Sequence, residues 1–226
     1  DHRPFLDLLK RLRSNKAVRH LFIASGIRYD LARKSPEFIR ELARSYTGGQ
    51  LSVAPEHISP TVLAAMRKPS VENYEGFAEL FEKASREAGK EQQLVGYFIS
   101  GHPGCTLDDM IELALYLKAK GIRPRQVQDF IPTPMSVATA MYYTGTDPMN
   151  GQSLYVARDL REKKLQKSLL LYWDPEQWPL AREALHKAGR ADLIGRGPQH
   201  LIPFDGSTRP ASAFSAKIPA RRPLRR

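Results

Sequence analysis

The feature that most constrains this chain is an alternation. Short apolar runs begin near positions 20, 50, 93 and 126, and one or two stretches of helical spacing lie between each pair. Strands joined through helices pair in parallel by right-handed crossovers, so the pattern defines an α/β fold with a parallel sheet. The expected strands are His20–Ser25, Gln50–Ala54, Gln93–Ile99 and Val127–Ile131. Four such units suggest part of a larger barrel or an open sheet.

The helices between them carry their own signals. Phe5, Leu8, Leu9 and Leu12 make an apolar stripe ahead of the first strand. Ser35 and Pro36 suit the start of a helix bearing Phe38, Ile39, Leu42, Ala43 and Tyr46, which Gly48 and Gly49 then stop. Ser59-Pro60 can open a short helix through Met66, and Tyr74–Ala88 has Tyr74, Phe77, Phe81 and Ala84 on one face. Thr106 is placed to cap a helix over Leu107–Lys120, with Asp108 and Asp109 in its first turn, where the helix dipole favours carboxylates.

Past Gly145 the alternation ends. A short strand is expected at Leu154–Val156. A basic amphipathic helix follows at Arg158–Leu171, with Leu165, Leu169 and Tyr172 on its apolar face, and another at Trp178–Ala188. From Gly195 onward Pro, Gly, Ser and Arg dominate, and little fixed structure is expected. The division is therefore 1–145 for the α/β part, 146–195 for a helical extension and 196–226 for a disordered basic tail. The chain starts at Asp1 and enters the alternation at a helix, which reads as a piece lacking an N-terminal part of the same protein.

Composition removes several classes. No apolar run approaches the roughly 20 residues of a membrane span, and no basic-then-apolar leader opens the chain, so a cytoplasmic protein without a membrane partner is expected. A single cysteine, Cys105, excludes an internal disulfide and any cysteine-rich metal cluster held by this chain alone. No other metal ligand set is expected. The net charge is +11, and Arg196–Arg226 holds seven Lys or Arg against one acid, Asp205. Such a tail could touch nucleic acid weakly, or simply be a solvated end.

In parallel α/β folds the loops after the strands share one rim, where ligands bind. Four such ends carry polar or conformationally special residues: Ser25 to Arg28, Pro55-Glu56-His57, Ser100 to Gly104, and Pro132 to Met135. Glu56 and His57 could do acid–base work, but neighbours on a strand point to opposite faces, and His57 could as well be satisfied by backbone. Arg28 could bind a carboxylate or phosphate, or make a surface ion pair. Gly101 and Gly104 would let a ligand approach the main chain, and His102 precedes a proline that favours extended backbone. The glycine spacing fits neither a Walker loop nor a dinucleotide fingerprint. Cys105 reads as a small first-turn residue rather than a nucleophile.

The segments FIASGIRYDL, GGQLSVAPEH, YFISGHPG and DFIPTPMSVATAMYYTG, in that order, followed by WDPEQWP and AGRADLIG, resemble the later part of the YgiQ-type radical S-adenosylmethionine proteins. The resemblance covers roughly Asp1 to Gly195. It implies the distal portion of a partial (β/α) barrel. It implies as cofactors a [4Fe-4S] cluster on a Cys-x3-Cys-x2-Cys loop and S-adenosylmethionine, which is cleaved to a 5′-deoxyadenosyl radical that takes hydrogen from a substrate of unknown identity. The cluster loop is absent from this sequence, so this chain would supply pocket walls and not the cluster. By that likeness the cofactor-binding candidates are Ser25, Arg28, Glu56, His57, Ser100, Gly101, His102, Gly104, Thr133 and Met135. Two other readings stand beside it: a self-contained barrel lyase or hydrolase using Glu56 and His57, and a basic nucleic-acid-binding module.

Overall fold

The computed structural model describes residues 1–125 and 127–204. Among them, three strands form one parallel sheet in the order β1 (Gln50–Glu56), β2 (Gln93–Ser100), β3 (Val127–Asp129). The α/β class and the parallel sense are as the alternation required. The sheet is open, and no barrel closes within the described residues.

The expected first strand does not form. Residues 20–25 form no strand: Ile23 N–H bonds Tyr46 O at 2.9 Å, ahead of β1, and only Ile27 bridges β1, opposite Val53. Ser25 and Gly26 interrupt the run before a ladder can develop, since both favour turns over pairing. The short strand expected at Leu154–Val156 is likewise reduced to an antiparallel bridge between Thr146 and Ser153.

Helices α1 (Arg3–Arg13), α2 (Tyr29–Ala32), α3 (Pro36–Glu41, continuing as a π-type turn to Tyr46) and α5 (Val71–Glu87) pack with β1 around Phe38, Leu42, Tyr46, Leu51, Val53, Phe77 and Phe81. In α1 the buried residues are Leu6 and Leu9, while Phe5, Leu8 and Leu12 of the expected stripe are exposed. The helix rests on α3 along a narrow seam, reinforced by His2 stacked on Phe38 at 4.3 Å between ring centroids, and that seam has room for few side chains.

Helices α4 (Pro60–Ala65), α6 (Leu107–Ala119), α8 (Leu160–Leu170) and α9 (Trp178–Lys187) build a second cluster with Phe98, Met110, Leu113, Leu117, Leu165, Leu169 and Ala184. This core runs across the expected boundary at 145, so the helical extension packs directly on the α/β part. Structure also continues past Gly195. Gly195 N–H bonds Ile202 O at 2.9 Å, and Leu201 and Ile202 are buried in the second cluster, where two apolar side chains outweigh the turn-rich composition around them. The remainder of the basic tail, 205–226, lies outside the described residues, as does the nucleic-acid contact expected of it. Helix α7 (Val137–Thr144) was not legible from periodicity. Its capping residues are clear, however: the Ser136 side chain accepts from Thr139 N–H, and Gly145 ends the helix at φ 70°.

One property of the sheet positions the site. Leu51, Val53 and Pro55 of β1 and Phe98 and Ser100 of β2 are buried on the helix-covered face. Strand alternation puts Ser52 and Ala54, then Val95, Tyr97 and Ile99, then Gln128, on the opposite face, and none of these is fully buried. Glu56 lies past a register shift and pairs with Phe98, so alternation does not set its direction. Among the described residues no helix is long and apolar enough to cross a membrane.

Candidate functional site

Glu56 is the most unusual residue at the carboxyl ends of the strands. The pairing of β1 with β2 shifts register between Val53 and Glu56. There the backbone makes a tight turn, with His57 N–H bonded to Pro55 O at 2.8 Å and Glu56 at φ 66°. A non-glycine residue there is strained by roughly 1–2 kcal/mol. One carboxylate oxygen, Oε1, meets Lys68 Nζ at 3.3 Å, and the same ammonium donates to Ala54 O at 3.1 Å. The other oxygen, Oε2, is buried with no hydrogen-bond partner. Burial pushes the Glu56 carboxyl above its ordinary pKa, and Lys68 only partly offsets this.

Beside it lies a small cleft of about 90 Å³ lined by Gly26, Ile27, Arg28, Tyr29, Asp30, Ala54, Lys68 and Pro69. Tyr29 is buried, and its phenol is pushed up to about 12 by burial and by the negative charges of Asp30 and Glu56. Arg28 is not a free anion receptor, because its guanidinium makes a two-point pair with Asp30 at 2.9 and 2.7 Å. Ser25, just upstream of the cleft-lining Gly26, is exposed.

His57 lies just past the strand end and the tight turn at Glu56, and is packed inward. It is buried, its Nδ1 accepts Ser59 N–H at 3.0 Å, and its Nε2 faces Cys105 Sγ at 3.7 Å. An accepting Nδ1 leaves the proton on Nε2, so the ring is neutral. Burial, only partly opposed by Asp109, lowers its pKa to about 4. Asp109 is held below the usual carboxylate range although burial works against it, because Ser59 Oγ and Thr106 Oγ1 each donate to it at 2.6 Å. Burial pushes the Cys105 thiol far up, so no thiolate forms near neutrality. This network ties the first turn of α4 to the capping box of α6. Glu56 and His57 therefore do not meet, and the pairing that a hydrolase or lyase reading needs is not made.

The Ser100–Gly104 turn is buried. Gly101 sits at φ 71° and Gly104 at φ 91°, conformations that glycine takes without strain. Gly101 N–H donates to Gln166 Oε1 at 2.9 Å, and Gly104 N–H to Tyr155 O at 2.7 Å. His102 donates from Nδ1 to Pro103 O at 2.8 Å and packs edge-on against Phe130, and burial lowers its pKa. Ser100 Oγ donates to Asp129 Oδ1 at 2.8 Å, and Lys167 holds the other oxygen at 3.0 Å. Thr133 and Met135 lie on an exposed loop. Thr133 O accepts from Ser136 and Thr139 hydroxyls, and Met135 stands fully out at φ 66°.

The structure thus sorts the sequence candidates into three groups. Ser25, Arg28 and Glu56 gather near the cleft. His57, Ser100, Gly101, His102 and Gly104 are packed beneath α4 and α8. Thr133 and Met135 extend from the rim. Sequence reasoning missed Lys68, Tyr29, Gln166 and Tyr97. Strict alternation along β2 would have placed Tyr97 on the open face. Lys68 follows a helix end and carries no signal of its own. Among the described residues no three His, Cys, Asp or Glu side chains could hold a metal ion, so the iron-sulfur cluster implied by the likeness does not fit this chain's own residues.

The comparisons with known proteins agree on one group. Residues 125–222 match the family model described as a domain of unknown function, DUF3362. The chain is 51% identical over 201 residues to a UPF0313 protein of Methanosarcina mazei, covering 89% of the chain and 32% of that relative. It is 47% identical over 208 residues to a UPF0313 protein of Pseudomonas aeruginosa, covering 90% of the chain and 28% of the relative. With a UPF0313 protein of Rhodopseudomonas palustris it shares 42% over 226 residues, 97% of the chain and 33% of the relative. This chain belongs to the UPF0313 family, the YgiQ-type proteins, and spans about a third or less of the length of these relatives.

Proposed function

We propose that this chain is the pocket-wall part of a radical S-adenosylmethionine enzyme, with the open face of β1–β3 and the carboxylate of Glu56 turned toward cofactor and substrate. The observation that carries the reading is Glu56 itself. A strained backbone and an unpartnered, buried carboxylate oxygen, at the carboxyl end of a parallel strand, together cost the fold several kcal/mol. Such cost concentrates where a ligand completes the arrangement. An acceptor of this kind suits a hydroxyl or ammonium donor, and S-adenosylmethionine offers both. The half-buried side chains of Val95, Tyr97 and Ile99 on the open face of β2 would exclude water on one side of such a ligand.

No step through the cluster is assigned to this chain. In the reading offered, its own residues bind and orient: Glu56 accepts a donor from the ligand, Lys68 holds Glu56 in place through Oε1, and Tyr97 and Ile99 line the floor. The test is anaerobic reconstitution of the complete protein with iron and sulfide. The expected result is an electron-paramagnetic cluster signal that changes when S-adenosylmethionine is added. A protein that takes up no cluster, or whose signal ignores the cofactor, would refute the reading.

A further inference from the structure

We infer that helix α8 is a clamp that fixes the carboxyl ends of β2 and β3, and that this is a role of the region matching the domain of unknown function. The consequence for a ligand rests on the pocket-wall reading above, but the clamp itself does not.

Gln166 is a completely buried polar side chain on α8. Its amide oxygen accepts Gly101 N–H at 2.9 Å, and its amide nitrogen donates to Cys105 O at 3.0 Å. One side chain therefore spans the turn from end to end. A carboxamide is suited to this position because it has a donor and an acceptor in one plane. Leu would orphan both backbone groups, and Glu one of them. The next residue, Lys167, holds Asp129 at the end of β3, and Asp129 in turn accepts from Ser100 at the end of β2. Tyr172 Oη donates to Ile122 O at 2.8 Å and Trp173 Nε1 to Pro124 O at 3.2 Å, on the loop that leads into β3. Leu165 and Leu169 seat the helix in the second core. The position of α8 is thus set by packing and transmitted to two strand ends by hydrogen bonds.

The test is hydrogen exchange on the complete protein, comparing wild type with Gln166→Leu and Gln166→Glu. In Gln166→Leu the Gly101–Cys105 turn should exchange about tenfold faster, the factor expected for one lost buried hydrogen bond. Strand β1, which belongs to the other core, should be unchanged. Gln166→Glu, which can still accept from Gly101, should fall between. Wild-type protection of the turn in Gln166→Leu, or equal acceleration in β1, would overturn the clamp. If Gln166→Leu does not fold, Lys167→Met against Lys167→Arg decides it: only Met should free the β3 end. Where the wild type binds S-adenosylmethionine, Gln166→Leu should weaken that binding about tenfold at unchanged iron content. Unchanged affinity would sever the clamp from the pocket. A wild type that binds no S-adenosylmethionine refutes the proposed function, and the exchange data still decide the clamp.

Discussion

Replacing Glu56 by glycine should make this chain more stable. Four contributions decide the sign. Glycine adopts a φ of 66° freely and recovers roughly 1–2 kcal/mol of backbone strain. Removing the carboxylate also removes a buried oxygen that lacks a partner, worth about 1–3 kcal/mol. Against these stand the loss of the Lys68 contact, about 1 kcal/mol for a pair that is not fully buried, and the added freedom of an unfolded glycine, about 0.4–1 kcal/mol. The balance favours the variant by roughly 1 kcal/mol, because Lys68 keeps its bond to Ala54 O. In urea unfolding, with a slope near 2 kcal/mol/M, the midpoint should rise by about 0.5 M. Glu56→Gln retains the strain and should gain less. Destabilisation by Glu56→Gly of more than about 1 kcal/mol would show that Glu56 is an ordinary structural residue, and the reasoning from its cost would fail.

Other expectations follow from the buried groups. His57 gains its proton near pH 6.5 when unfolded but only near 4 when folded, so the unfolded chain binds more protons between these values. Stability should therefore fall as pH drops through that window, by about 3 kcal/mol in all, and an unfolding series from pH 7 to 4 should show less of this slope in His57→Gln. Phe98→Ala, at a fully buried site of the second cluster, should cost about 3–5 kcal/mol by denaturant titration. Gly101→Ala places a side chain at φ 71° and should cost about 1–2 kcal/mol, read as a lower melting temperature.

Much of the fold was legible because local signals agreed with one another. Thr106 as a cap with Asp108 and Asp109 behind it, the run Gln50–Ala54 after two glycines and the spacing of Phe77 and Phe81 each predict an element that forms. The failures are also local. His20–Ser25 is apolar enough for a strand, but its turn residues and its place at the edge leave it nearly unpaired. Phe5, Leu8 and Leu12 show helical spacing, yet spacing cannot tell which side of a stripe meets the core. In the site, alternation pointed to the separation of Glu56 from His57, but the strand ends at Glu56 and the tight turn there is what parts them. The burial of the Ser100–Gly104 turn gave no such signal, because it depends on Gln166, some sixty residues away, and nothing near either segment announces the contact. The left-handed backbone at Glu56 was equally silent, since glutamate gives no sign that a register shift will hold it there.

The most direct measurement is the affinity of the reconstituted complete protein for S-adenosylmethionine, by anaerobic equilibrium dialysis, in wild type and Glu56→Gln. If the unpartnered oxygen accepts a hydrogen bond from the cofactor, the variant should bind about tenfold more weakly with its iron content unchanged. Equal affinity in the two proteins would contradict the assignment of Glu56 to the cofactor-facing wall.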